Sequence, residues 1–305
     1  KLVTHILSYK IYINYLNFKT MENLAEKKKK TEIWFRCLRE QICESLEKVE
    51  KKFENSNKNF KRKKWYRDPS RKKNLGGGEI SILKGKLFEK AGVNISTVHG
   101  KFSKQFCKEI PGADKNPNFW ASGISVVIHP LSPLMPAVHM NTRFIVTQKQ
   151  WFGGGADITP TYKNSKQSKD LAKIFHKNLK NTCDSYKKGC YKKFKKWCDE
   201  YFYLPHRKES RGLGGIFYDY LNTNEWDKDF IFTKNVGLTF IQTYLQIIEL
   251  TAGKRWNEND KAKQLFRRSR YVEFNLLHDR GTKFGLMTNG NTEAILMSLP
   301  PLASW

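Results

Sequence analysis

A chain of 305 residues that is 39% hydrophobic has enough apolar material for one large core, and its formal charge of +27 requires an account of where the cations go. No run of 18 apolar residues occurs, which excludes a membrane-spanning helix. The six cysteines, Cys37, Cys43, Cys107, Cys183, Cys190 and Cys198, include no CxxC pair, so they read as free thiols of a reducing compartment and exclude a zinc ribbon or disulfide framework.

The charge is concentrated early, with 21 Lys and Arg against nine Asp and Glu in residues 1–75. Runs such as Lys27 to Lys30 and KRKK at 61–64 fit solvated segments, and a cleft for a small polyanion accounts for a basic surface without nucleic acid. A basic nucleic-acid-binding protein is the alternative of a different class, and it requires aromatics exposed among lysines on one face. Residues 1–30 read as a poorly ordered extension. Basic, short of acids and without arginine, they leave open an organelle presequence or a start at Met21. A helix is predicted over 31–54, with Ile33, Cys37, Gln41 and Cys43 bracketing a half-apolar face. After a basic linker, the glycines at 76–78 read as a turn into apolar strands, since the GK[ST] ending of a phosphate loop is missing.

The stretch from Gly123 to Tyr162 places polar chemistry inside a strand pattern. Period-two alternation puts His139, Asn141 and Arg143 on one face and Met140, Thr142 and Phe144 on the other. In the preceding strand Ser125, Val127 and His129 share a face, and three prolines between 130 and 136 stiffen the return. A row so rich in donors is aimed at something acidic. Asp157, after the second glycine triplet, reads as a turn cap.

Beyond it, Leu171, Phe175 and Leu179, then Tyr191, Phe194, Trp197 and Tyr201, then Phe232, Val236, Phe240, Tyr244 and Ile248 follow helical spacing and read as core stripes. Strands are predicted at 214–221, 271–279, 283–289 and 294–300, the middle two as a hairpin turning at Asp279 to Thr282. Strand-rich stretches that neighbour one another, with no βαβ units, point to the α+β class. The expectation is a single domain with a large antiparallel β-sheet flanked by α-helices on both faces.

The segments FEKAGVNISTVHG, SVVIHPLSPLMPAVHMNTRF, WFGGGADITPTY, KKWCDEYFYLPHRKESRGLGGIFYDYL and RRSRYVEFNLLHDRGTKFGLMTNGNTEAILMSLPP resemble, in content and order, the oxygen-dependent coproporphyrinogen III oxidases. The match runs with gaps from about residue 35 to the end, within an expected catalytic region of 31–305. The resemblance implies oxidative decarboxylation of the ring A and B propionates of coproporphyrinogen III to vinyl groups. Protoporphyrinogen IX results on the way to haem, with O2 consumed and CO2 and H2O2 released, and with no organic cofactor. It also implies a homodimer assembled through 271–289 in the cytoplasm, or in a mitochondrion or plastid if residues 1–30 are a presequence.

By the same resemblance Asp219 and His139 are the catalytic residues, one engaging the pyrrole N–H groups and the other supplying a proton. Ser125, Asn141, Thr142, Arg143, Asn289, Gly290 and Asn291 are the substrate contacts. Metal independence is expected, with His129, His139, His176 and His206 as the candidate ligands if a divalent ion is needed. The chain departs from the family pattern at Ser81 and at Asn289 to Asn291, where a cation is expected, and a further helix is expected past Trp305. These departures leave room for a catalytically impaired porphyrin-binding relative. The haem-pathway reading requires Arg143 and Asp219 to face each other across a hollow of macrocycle size.

Overall fold

A computed structural model describes residues 23–287 and 290–305. Its first element is helix α1 (Leu24–Glu54), which starts well ahead of residue 31 because the Asn23 side chain accepts from the Ala25 N–H and caps it. Phe35, Leu38, Ile42, Leu46 and Val49 recur every three or four residues along α1 and are all buried. The expected extension therefore becomes helix from Leu24; Met21 and the residues before it lie outside the described residues.

The chain continues through β1 (Lys61–Tyr66), β2 (Gly76–Leu83), β3 (Phe88–Lys101), a single turn α2 (Lys104–Cys107), β4 (Asn118–Pro130), β5 (Ala137–Val146) and β6 (Gln150–Thr159). Then come α3 (Lys166–Tyr186), α4 (Cys190–Tyr201), the short strands β7 (Tyr203–Leu204) and β8 (Glu209–Ser210), and β9 (Gly215–Leu221). The last helices are α5 (Trp226–Thr251), α6 (Glu258–Leu277), α7 (Arg280–Met287) and α8 (Thr292–Ile295).

Seven strands form one antiparallel sheet in the order β1-β2-β3-β4-β5-β6-β9. Val138, Met140, Thr142, Phe144 and Val146 are buried on one face of β5, and α1, α3 and α5 seal that face into one core with β3, β4 and β6. The other face is covered only in part. Gln264 and Arg268 of α6 donate to the Pro130 carbonyl, and Met297, just past α8, packs where a Gly92 side chain would go. Helices on both faces of a large antiparallel sheet match the α+β expectation. The basic linker proves to be the edge strand β1, whose exposed Lys61, Arg62, Lys63 and Lys64 discourage edge-to-edge pairing.

Three local expectations fail. The hairpin predicted over 271–289 is replaced, in its described residues, by the end of α6 and by α7, since a capping box of Asn257 and Asp260 starts α6 upstream. The inward stripe of α6 is partly polar, with Gln264, Arg268, Tyr271 and Asn275 buried, and this hides its 3.6-residue period from a count of apolar positions. Residues 294–300, read as a strand, form the end of α8 and a 3-10 turn over Leu296–Ser298. The glycines at 76–78 belong to β2 itself, so the expected turn there is absent.

Candidate active site

Register decides what the open face presents. Asn94, Ser125, Asn141, Gly155 and Phe217 are successive cross-strand partners from β3 to β9. One step along, Ser96, Gly123, Arg143 and Gly153 line up, and Val127, His139, Asp157 and Gly215 form the next row on the same face. Glycines, serines and amides thus leave a low floor from which few groups rise.

Arg143 and Asp219 are two of those groups. Arg143 Nη2 donates to Asp219 Oδ2 at 2.6 Å and Nη1 to Asn141 Oδ1 at 3.1 Å, while Asp219 Oδ1 accepts from the Tyr220 N–H at 3.1 Å. A register shift between Phe152 and Gly154, with Tyr220 at φ +53°, turns Asp219 toward the guanidinium. The two were expected across a hollow; instead they touch, with 28% and 12% of their side chains exposed. Desolvation acts to lower the Arg143 pKa, and the neighbouring Asp219 charge more than reverses it, so the guanidinium stays firmly charged.

His139 is held from behind. Its Nδ1 lies 2.9 Å from Asp157 Oδ1, and Asp157 Oδ2 accepts from Arg211 Nη2 at 2.6 Å. Burial alone would raise the Asp157 pKa, but Arg211 and His139 together bring it below the usual carboxylate range. The ionised carboxylate fixes Nδ1–H as donor, which leaves Nε2 as the second titrating nitrogen of the ring. Asp157 is therefore a buried strand residue that orients a histidine, and the turn-cap expectation is wrong. Sequence reasoning missed Arg211. Its guanidinium is almost fully buried, 4.1 Å from the Phe202 ring centroid and 4.2 Å from that of Tyr271, and as one of several charged residues in the run from His206 to Arg211 it carried no signal of its own.

Other candidate residues are placed less centrally. Ser125 is half-buried beside Asn141, as required of a contact. Thr142 is not available through its side chain, which is buried in the helix-covered core because its β5 position has the opposite parity to His139 and Arg143. Asn291 spends its side chain capping α8, accepting from the Ala294 N–H, and the Gly290 N–H is taken by the Gly285 carbonyl. Asn289 lies outside the described residues.

The four histidines do not form a metal cluster. His129 is buried against the Ser298 carbonyl, and burial brings its pKa down to about 3, so it is neutral. His176 lies between Tyr191 and the Leu213 carbonyl, and His206 between Glu273 and His278. Among the described residues no group of three or more His, Cys, Asp or Glu is arranged to hold a metal ion. The clefts lined by Lys27, Gln150 and Asn222 near the start of α1 include none of Arg143, His139 and Asp219.

The family model described as coproporphyrinogen III oxidase matches residues 29–305. The chain belongs to the coproporphyrinogen III oxidase family. It is 54% identical over 275 residues to the oxygen-dependent coproporphyrinogen-III oxidase of Rickettsia bellii (strain RML369-C), covering 90% of this chain and 97% of that protein. The enzyme of the same name from Rickettsia akari (strain Hartford) is 52% identical over 276 residues, with the same coverage. Similarity therefore extends over almost the whole of these oxidases, as the motif resemblance implied. The guanidinium of Arg143, the carboxylate of Asp219 beside it and the imidazole of His139 lie on one face of the sheet.

Proposed function

We infer that this chain oxidatively decarboxylates the ring A and B propionates of coproporphyrinogen III to vinyl groups, giving protoporphyrinogen IX in haem biosynthesis. For each vinyl group, one propionate, one O2 and one proton become one alkene, one CO2 and one H2O2. The observation that carries the assignment of roles is the Arg143–Asp219 pair rising from the glycine-lined floor. Asp219 retains lone pairs beyond those used by Arg143 and Tyr220, and they accept the pyrrole N–H groups, making the electron-rich ring more reactive toward O2. Arg143 directs its remaining N–H donors to a propionate, which Lys would match poorly. The Asn141 amide and Ser125 hydroxyl add contacts on the same row. His139, in the imidazolium form that Asp157 stabilises from behind, supplies the proton from Nε2–H and keeps its Nδ1–H.

The oxidant in this reading is O2, with no organic cofactor and no divalent metal. The substrate itself is the electron donor. Leu276, Leu277, Leu286, Leu302 and Trp305 expose between 41% and 69% of their surface, and a second copy of the chain covering them accounts for that apolar exposure. A cytoplasmic setting belongs to the same reading, consistent with six cysteines that are all free thiols. No helix among the described residues is long and apolar enough to cross a membrane.

The test is incubation of the full chain with coproporphyrinogen III under air, with product porphyrins separated and CO2 and H2O2 counted. Two of each per protoporphyrinogen IX support the reading. Tight porphyrin binding without product would assign the chain to the impaired class instead.

A further inference from the structure

Residues 58–73 hold nine lysines and arginines against one acid, Asp68, and all nine except Arg67 are exposed. Two are neutralised from neighbouring elements, Arg62 by Glu40 and Lys63 by Glu293. Lys61, Lys64, Lys72 and Lys73 form no ion pair among the described residues. The cations of β1 keep the sheet edge from pairing, but Arg71, Lys72 and Lys73 follow in the connection to β2 and have no edge to protect.

Register ties this surface to the site. Lys61, Lys63 and Trp65 pair with Ile82, Ile80 and Gly78 of β2, and these with Gly92, Asn94 and Ser96 of β3, so the odd positions of β1 share a face with Arg143. Trp65 Nε1 donates to Asn94 Oδ1 at 3.0 Å on that face. The row of Arg143 begins at Trp65 and passes Gly78, Ser96 and Gly123, three small half-buried residues, before reaching the guanidinium. Met297 covers the neighbouring row at Gly92, which leaves the Arg143 row as the low approach among the described residues. From β1 to β5 is four strand spacings, or about 19 Å. Screening decides how far the edge cations act: the Debye length is about 30 Å at 0.01 M salt and about 8 Å at 0.15 M.

We propose that the basic edge formed by β1 and the connection after it is a capture surface for the tetra-anionic substrate, steering it toward the Arg143 row at a distance and without touching the seated ring. The proposal rests on the coproporphyrinogen oxidase reading and deepens it. Conversion of two propionates to vinyl groups leaves two carboxylates of four, so the attraction is about halved when product forms. The surface that speeds substrate arrival therefore holds product less.

The experiment uses the full chain and two triple variants that remove the same charge. One is Lys61→Gln/Lys64→Gln/Lys72→Gln at the edge. The other is Lys166→Gln/Lys169→Gln/Lys177→Gln, exposed positions of α3 on the helix-covered side of the sheet. Stopped-flow fluorescence gives kon and koff for coproporphyrin III, with four carboxylates, and deuteroporphyrin IX, with two, across a salt series, and urea melts confirm folding. The edge variant is expected to lower kon for coproporphyrin about three- to tenfold at about 0.01 M salt and less than about twofold at about 0.5 M, with koff nearly unchanged. The α3 variant is expected to change kon less than about twofold. In the wild type, log kon for coproporphyrin should fall with salt about twice as steeply as for deuteroporphyrin. Equal losses in the two variants, unchanged kon in a folded edge variant, a loss confined to koff, or equal salt slopes for the two porphyrins would overturn the proposal. Turnover is scored separately: a chain that captures coproporphyrin through this edge but makes no product refutes the oxidase reading and leaves the capture surface standing.

Discussion

Gly153 and Asp219 are so close that a β-carbon on residue 153 would lie 2.5 Å from Asp219 Oδ1 and 3.0 Å from the Arg143 guanidinium carbon. The missing side chain is thus a condition for the ion pair, because no rotamer of residue 153 avoids its own β-carbon. Gly153→Ala is expected to separate the pair, lowering kcat/KM at least about tenfold at an overpacking cost of about 1–3 kcal/mol. Parallel urea melts and steady-state assays check this, and unchanged kcat/KM in a folded variant would count against the pair's role.

Removing either partner should have a different signature. Asp219→Ala is expected to abolish turnover while porphyrin binding persists, as the carboxylate is assigned to the pyrrole nitrogens. Arg143→Ala is expected to weaken substrate binding through loss of a charged hydrogen bond of about 1.5–3 kcal/mol, or roughly 10- to 150-fold. Fluorescence titration with coproporphyrin III and single-turnover assays separate the two, and normal turnover in Asp219→Ala would remove its assigned role.

Glu273 provides a pH prediction away from the reaction. Hydrogen bonds from Arg207, His206 and Trp305 outweigh desolvation and bring its pKa down from 4.5 to about 2. A carboxylate depressed in the folded state contributes stability that is present above its unfolded pKa of about 4.3 and lost as pH falls through about 2. Wild type is therefore expected to be more stable than Glu273→Gln at pH 6, with the two unfolding curves converging by about pH 2. Urea denaturation at stepped pH measures this, and a gap that persists undiminished at the acid end would contradict it.

Chelation tests the metal-free reading. Prolonged dialysis against a strong chelator followed by assay in chelator-treated buffer is expected to leave kcat unchanged. A loss restored by one specific divalent ion would require a metal role outside the arrangements of His129, His139, His176 and His206 seen among the described residues.

The sequence pattern reveals β5 because its alternation is strict: Val138, Met140, Thr142 and Phe144 are buried while His139, Asn141 and Arg143 keep to the other side. The same alternation predicts that the Thr142 side chain points away from substrate. Helix α6 is harder to read, because buried Arg268, Asn275 and Gln264 interrupt the apolar period and bonds to Pro130 and Ser298 satisfy them only in three dimensions. Tyr201 reads as one more core aromatic in α4, since neither its stack on Phe217 nor its bond to Asp279 leaves a mark at helical spacing. The contact between Arg143 and Asp219 depends on a strand irregularity and a glycine on the strand between them, features that no single segment encodes.

Asp157 has a structural role separable from its hold on His139. With only 2% of each residue exposed, it and Arg211 form a buried ion pair, and removing one charge leaves the other without compensation. Asp157→Asn is expected to destabilise the fold by about 3–5 kcal/mol, whereas replacing both partners with Asp157→Asn/Arg211→Met should recover a large part of that loss. The double variant would still lack the carboxylate that fixes the His139 tautomer, so its activity should stay low even where its stability returns. Urea midpoints and kcat measured on the same preparations separate the two roles. Recovery of activity together with stability would show that Asp157 serves the fold alone.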